Sequence, residues 1–294
     1  MPENSVLVVG SLNYDLFLFQ ARLAAVGETL TADGMRQAFG GKGGNQAVQA
    51  AKLGAPVAFL GAVGQDERGQ AYQGVLEQEG IRAWLTPVEQ PTGLGVVNVL
   101  PGGDVHATIV EGANGTMDAD HVRAHQELFD GIGFLILQNE IPESGVRAAA
   151  ELGRQAGATV VYNAAPARPW SHSIPCDYLI VNEEEARSMA EPGQAASGQW
   201  ADLAHSLAGA GPSVIITLGA RGAVACLGGE VVDLTPYPAT AVDSTGAGDS
   251  FVGAFVAALR EGRDARSAAS LAGGVAAITT EGVGAQTSMP RQWR

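Results

Sequence analysis

Six short, almost uninterrupted apolar runs recur along the chain, interspersed with stretches of helical periodicity, and this rhythm leaves few folds open. The runs cover residues 5–10, 57–63, 133–138, 158–162, 177–181 and 213–218. The helical stretches cover 44–53, 68–79, 143–155, 182–189 and 199–208, and two longer ones, 247–260 and 265–279, close the chain. A strand that is apolar on both sides must be covered on both sides. The pattern therefore predicts an α/β fold with a mainly parallel central sheet and helices on each face. With 46% hydrophobic residues such a core can be filled, and residues 1–294 read as a single domain.

Two stretches, 14–39 and 92–110, break the rhythm with polar alternation and turn formers. Within the second, 96–100, the turn Pro101-Gly102-Gly103-Asp104 and 105–110 read as a hairpin. Strands inserted in this way build either a small β-sheet lid or an extension of the main sheet, and the sequence leaves both open.

Ligands bind open parallel sheets at the carboxyl ends of the strands. Polar groups gather at those ends here: Asn13 and Asp15; Gln138, Asn139 and Glu140; Asn163; Asn182 and Glu185; Thr217. Loops after strands are polar in any case. Five such ends, with carboxylates among them, point to one converging site, though to no particular reaction.

The richest segment is Asp243-Ser244-Thr245-Gly246-Ala247-Gly248-Asp249-Ser250-Phe251, at the start of an apolar helix. Glycines admit a ligand close to the backbone, and the free N–H groups of a first turn form an anion site. Asp249 inside that turn is favoured in its ionised form. A carboxylate base beside an anion cradle is what phosphoryl transfer to an alcohol requires. The plain alternative is a capped helix with Asp249 complementing the dipole. The dinucleotide fingerprint, the nucleophile elbow and the Walker loop each lack a required residue. A second cluster, Gly40-Gly41-Lys42-Gly43-Gly44-Asn45-Gln46-Ala47, leads into a helix and suits a polyhydroxylated or anionic ligand; a mobile hinge is the alternative. His121 and His125, four apart, lack a third ligand and read as a solvated helix face.

The net charge of −14 disfavours nucleic acid and anionic membranes as partners. No apolar run approaches the ~20 residues of a membrane span, and Met1-Pro2-Glu3-Asn4 lacks the basic start of a secretory signal. Cys176 and Cys226 suggest neither a disulfide framework nor a zinc site, so a cytoplasmic location is expected.

In this order and spacing the motifs resemble the ribokinase-like (PfkB) carbohydrate kinases, from about residue 6 to residue 290. Gly10-Ser11-Leu12-Asn13-Tyr14-Asp15 resembles the family's first strand with its Asn-x-Asp, and the two glycine clusters resemble its two signatures. Gln138-Asn139-Glu140-Ile141-Pro142 is similar to a Gln-x-Glu-x-Pro, and Asn182-Glu183-Glu184-Glu185 to an Asn-x-x-Glu. Thr217-Leu218-Gly219-Ala220-Arg221-Gly222 looks like the nucleotide loop, and Glu111-Gly112-Ala113-Asn114 carries the Gly-Ala-Asn that follows the lid hairpin.

The resemblance implies transfer of the ATP γ-phosphate to a primary sugar hydroxyl, under a β-sheet lid that also serves as a homodimer interface. It assigns Asn13, Asp15, Gly41, Lys42, Gly43, Gly44, Asn45 and Glu140 to the sugar. To the nucleotide it assigns Asn182, Thr217, Leu218, Gly219, Ala220, Arg221, Gly222, Gly248 and Gly273. Gly246, Ala247 and Gly248 become the anion hole beside the base Asp249. Glu185 would order Mg2+ through water, and Asp243, Thr245, Thr279, Gly282, Gly284 and Ser288 would surround K+, several through carbonyls.

There are departures: Ala164 in an otherwise Asn-Pro-Ala-Pro loop, Gly44 where Ala is common, Ser244 where Thr is common, and Tyr14 and Asn139 beside sugar-binding positions. Asp15, Lys42, Asn45 and Glu140 point to D-ribose; Tyr14 and Asn139 favour fructose, a deoxy-sugar acid or a nucleoside instead. A non-catalytic sugar sensor on the same fold would be expected to lack Asp249 or the anion-hole glycines.

Overall fold

The first apolar run shows why the sheet is covered on both sides. Val6 and Val8 of strand β1 (Ser5–Val9) pack into one buried cluster, and Leu7 and Val9 into the other. The computed structural model describes residues 4–101, 105–168, 174–190, 199–209 and 211–293. After β1 come β2 (Asn13–Phe19), β3 (Gly34–Gly40), α1 (Lys42–Lys52), β4 (Val57–Gly64) and α2 (Glu67–Gln78). Strands β5 (Arg82–Val88), β6 (Gly93–Val99) and β7 (Val105–Val110) precede α3 (Ala119–Arg123), β8 (Ile132–Gln138) and α4 (Glu143–Gln155). Then follow β9 (Thr159–Asn163), β10 (Tyr178–Asn182), α5 (Glu183–Met189) and α6 (Trp200–Ala208). The chain ends with β11 (Ser213–Thr217), β12 (Ala223–Leu227), β13 (Glu230–Leu234), α7 (Ala247–Arg260) and α8 (Ala265–Thr280).

Among the described residues, nine strands form the central sheet in the order β13-β12-β11-β10-β9-β8-β1-β4-β5. Neighbours from β5 to β11 run parallel, and β12 and β13 add antiparallel strands at one edge. The chain winds outward from β1 in both directions. The winding reverses between β1 and β8, so their carboxyl ends bound the crevice where such sheets hold ligands.

The six apolar runs are six of these nine strands. The other three, β5, β12 and β13, lie towards the sheet edges. β5 and β13 are half-exposed, which dilutes their apolar pattern, and β5 carries Pro87, tolerated on an edge. β12 is buried but short, and glycines bound it on both sides.

The two irregular stretches form a separate four-stranded sheet, β3-β2-β6-β7, with β2 and β6 parallel. Residues 20–33 between β2 and β3 are not strand. The expected hairpin is β6–β7; its turn residues Gly102, Gly103 and Asp104 lie outside the described residues. Asn114 staples the root of this sheet: its Oδ1 accepts from Leu12 N (2.9 Å), and its Nδ2 donates to Leu12 O and to Asn13 Oδ1.

Helix α1 starts at Lys42, two residues earlier than its periodicity predicts, so Gly43 and Gly44 belong to its first turn. A Cβ on Gly43 would lie 2.7 Å from Ser11 N, and one on Gly44 2.1 Å from the Tyr72 hydroxyl. Close packing, rather than loop flexibility, explains these glycines. α3 ends at Arg123, yet the His121 and His125 rings stack with centroids 5.3 Å apart, and both are half-buried rather than fully solvated. His121 Nε2 bonds Thr86 Oγ1, and His125 Nδ1 bonds His121 O. Among the described residues no group of three or more His, Cys, Asp or Glu is arranged to hold a metal, and no helix is long and apolar enough to cross a membrane.

Candidate active site

The crevice between β1 and β8 is closed by a carboxylate. Glu140 Oε2 accepts from Ser11 Oγ (2.6 Å) and from Lys42 N (2.8 Å), tying the ends of both strands to the first turn of α1. Gly41 makes the turn into that helix with φ at 82°, and a Cβ there would lie 2.7 Å from Asn13 N.

Asp249 stands in the first turn of α7 and is buried. Its Oδ2 accepts from Asn45 Nδ2 (2.8 Å) and its Oδ1 from Gln46 Nε2 (3.0 Å). Gln46 Nε2 also donates to Asn163 Oδ1, and Gln46 Oε1 accepts from Gln138 Nε2. The carboxylate is thus fixed by side-chain amides while its charge keeps the favourable helix end. At the same helix start Gly246 is left-handed (φ 77°), and no atom lies within 4 Å of where a Gly248 Cβ would be, so a ligand can approach this backbone.

Four acidic residues and one lysine interact in this crevice. Burial, then Glu140 and Asp249, push the Asp15 carboxyl up to about 7. Its oxygens fit only because neighbouring strands carry glycine: Cβ atoms at Gly40 and Gly95 would lie 1.8 and 2.3 Å from them. For Lys42, burial opposes the charge, but Asp249, Glu140 and Glu185 outweigh it and hold the amine above its ordinary value. Glu185 is raised, chiefly by burial. It forms a capping box with Asn182: Glu185 N donates to Asn182 Oδ1 and Asn182 N to Glu185 Oε2, both at 2.8 Å.

On the other side of α7 lies a largely apolar cavity of about 580 Å³. Thr217, Gly219, Ala220, Gly222, Ala247, Gly248 and Gly273 line it, so the loop after β11, the start of α7 and α8 meet there. Leu218 points into the core instead, Arg221 is exposed and pairs with Glu183 (2.5 Å), and the Asn182 side chain is engaged in capping. Apolar cavity and acidic crevice adjoin at residues 247–249.

The loop before α7 gathers the remaining expected residues. Asp243 Oδ1 accepts from Thr245 N and Oγ1, and Oδ2 accepts from Gly284 N (2.8 Å) and pairs with Arg36 of β3 (3.5 Å). Burial opposes this charge, but those donors prevail and hold the carboxyl below its ordinary value. Ser288 Oγ donates to Gly284 O, and its Cβ lies 2.7 Å from where one on Gly282 would be. The Thr279 hydroxyl is fully buried and engaged with Ser250 and Val275 O, which leaves only its backbone for a ligand.

Two residues expected beside the sugar do other work. Asn139 is spent on Tyr162, whose hydroxyl donates to its Oδ1 (2.6 Å), and on Pro166 O. The Tyr14 hydroxyl donates to Gln37 Oε1 on the neighbouring strand. Sequence reasoning missed Phe251, Tyr237, Ala276 and Ala277, which line the cavity, because apolar lining reads like core. It also missed Ser11, Tyr72 and Gln286, single polar residues far apart in the chain whose only signal is spatial.

Comparison with known proteins agrees with this fold. The family model described as pfkB family carbohydrate kinase matches residues 3–292. The ribokinase of Schizosaccharomyces pombe is 34% identical, with 97% of this chain and 95% of that protein covered. Among solved structures, ribokinase from Thermotoga maritima superposes with a TM-score of 0.89 at 31% identity, covering 98% and 96% of the two chains. Arabidopsis thaliana ribokinase complexed with ribose and ATP gives 0.87 at 30%, again covering 98% and 96%.

Proposed function

Because the chain belongs to the pfkB family of carbohydrate kinases, we propose that it transfers the γ-phosphoryl group of ATP to the primary hydroxyl of D-ribose, giving D-ribose 5-phosphate and ADP. The observation that carries the reading is the position of Asp249, where an apolar cavity of nucleotide size meets an acidic crevice suited to hydroxyl groups. Adenine fits the wall formed by Tyr237, Phe251, Ala276 and Ala277. Asn13, Asp15, Lys42, Asn45 and Glu140 hold the sugar, with carboxylates accepting from its hydroxyls.

Asp249 takes the proton of the attacking hydroxyl. A positioned base contributes roughly 10²–10⁴ in rate. The backbone of Gly246, Ala247 and Gly248 receives charge that builds on the phosphoryl oxygens, and Lys42 offsets the surrounding carboxylates. The four-stranded sheet acts as a lid that shuts water out of the crevice.

Mg2+ suits Glu185: a carboxylate that burial has pushed up is relieved by a cation, and through ordered water this residue would hold the ion. Bound there, Mg2+ supplies charge neutralisation on the phosphates. K+ fits the loop of Asp243, Thr245, Gly282, Gly284 and Ser288 with the Thr279 backbone, held mainly by carbonyls because Arg36 already faces the Asp243 carboxylate. K+ there would steady the anion hole.

The lid carries exposed Phe19, Val105 and Ile109 on one face and Met35 and Val110 on the other, apolar positions that support homodimerisation through it. Two free buried cysteines suit a reducing cytoplasm. That Asn139 is bound internally favours ribose over the other acceptors, since this departure then does not face the sugar.

The test is ADP release with MgATP and a panel of ribose, deoxyribose, fructose and nucleosides, with and without potassium. Ribose is expected to give the highest kcat/KM, and equal or better turnover of another acceptor rejects it.

A further inference from the structure

Asp249 is oriented by Asn45, and Asn45 must itself be oriented. An asparagine amide fits its slot in two directions, and only one sets the Nδ2 donor against the carboxylate. The reverse would turn Oδ1 lone pairs towards it. Gln286, in the loop after α8, decides the direction. Its Nε2 donates to Asn45 Oδ1 (3.1 Å) and to the Tyr72 hydroxyl (2.8 Å), which uses both hydrogens of that amide. The Tyr72 hydroxyl in turn donates to Gly40 O (2.6 Å), at the end of lid strand β3. Tyr72 is fully buried and Gln286 nearly so, which shields these bonds from bulk solvent.

The packing around Tyr72 serves the same arrangement. Its ring meets Phe39 edge-on with centroids 5.0 Å apart, and the missing Cβ of Gly44 leaves room for the hydroxyl. The backbone of Gln286 is held separately, since Lys52 Nζ donates to its carbonyl and to Met289 O. Loss of the Gln286 side-chain amide therefore leaves its loop anchored.

We propose that Gln286 and Tyr72 are positioning residues for phosphoryl transfer: they set the Asn45 amide so that it donates to Asp249, and they link that setting to the root of the lid. The proposal rests on Asp249 as the base. Neither residue reaches the crevice itself; both act through Asn45.

The test compares Q286M, Y72F and the double variant, using the best acceptor of the sugar panel, with melting curves taken alongside. Gln286→Met is expected to lower kcat about tenfold with KM for ATP within about twofold, and Tyr72→Phe about threefold. The double variant is expected to be no slower than Q286M alone, because both changes cut one chain. A Q286M kcat within about twofold of wild type overturns the proposal, as does a double variant whose losses simply multiply. If Q286M has no folded baseline, Y72F decides alone, and an unchanged kcat rejects the role. A wild type silent on every acceptor overturns the proposed function instead, and this inference with it.

Discussion

Replacing Asp15 with Asn should make the ligand-free protein more stable at neutral pH while damaging its use of sugar. The carboxyl is raised from 3.8 to about 7 in the fold. A group raised on folding favours its protonated form. The stability it lends is complete below about pH 4 and is lost as pH rises towards 7. At ~1.4 kcal/mol per pH unit, full ionisation costs on the order of 4 kcal/mol, an upper figure because the side chain retains some contact with solvent. Asparagine carries no such penalty. The advantage of D15N over wild type should therefore grow by about 2 kcal/mol between pH 5.5 and pH 8, measured by urea unfolding at each pH. KM for the sugar should rise in the variant, and in wild type it should fall as pH rises through 7, because the ionised carboxylate accepts from hydroxyls. A stability difference that is flat or shrinks with pH would refute the assignment of Asp15 as a carboxylate forced into an acidic crevice.

Asp249→Ala should lower kcat by roughly 10²–10⁴ while ATP affinity by calorimetry stays close to wild type; surviving turnover means another base. Asn114→Ala strips the hydrogen-bonding partner from Leu12 N and O and from Asn13, so a loss of about 2–3 kcal/mol on urea unfolding is expected, with a raised sugar KM as the lid root loosens. Ile109→Asp on β7, a strand exposed along its whole length, should convert a dimer to monomer by light scattering, and a wild type already monomeric at micromolar concentration excludes the lid interface.

Much of the fold was legible because burial on two faces demands continuous apolar strands, and residues such as Val6-Leu7-Val8-Val9 and Val214-Ile215-Ile216 carry that demand locally. The half-exposed edge strands β5 and β13 escaped notice for the same reason in reverse. At the site, Asp249 and the glycines around it could be picked out, since a helix start with missing side chains and one carboxylate is a local pattern. The direction of Asn45 and the internal use of Asn139 could not, because each depends on partners tens to hundreds of residues away.

By itself, then, the order of residues determined the alternating layers, the two inserted strand regions and the helix that carries Asp249 in its first turn, all consequences of periodicity and backbone freedom within short windows. Only tertiary structure decided which polar groups share one desolvated space. Burial in that space, then the nearness of Glu140 and Asp249, pushes Asp15 up; burial chiefly raises Glu185; and Asp249, Glu140 and Glu185 together hold the Lys42 amine above its ordinary value. Mutual electrostatics in a low-dielectric crevice depend on distance in space, and no spacing along the chain encodes it.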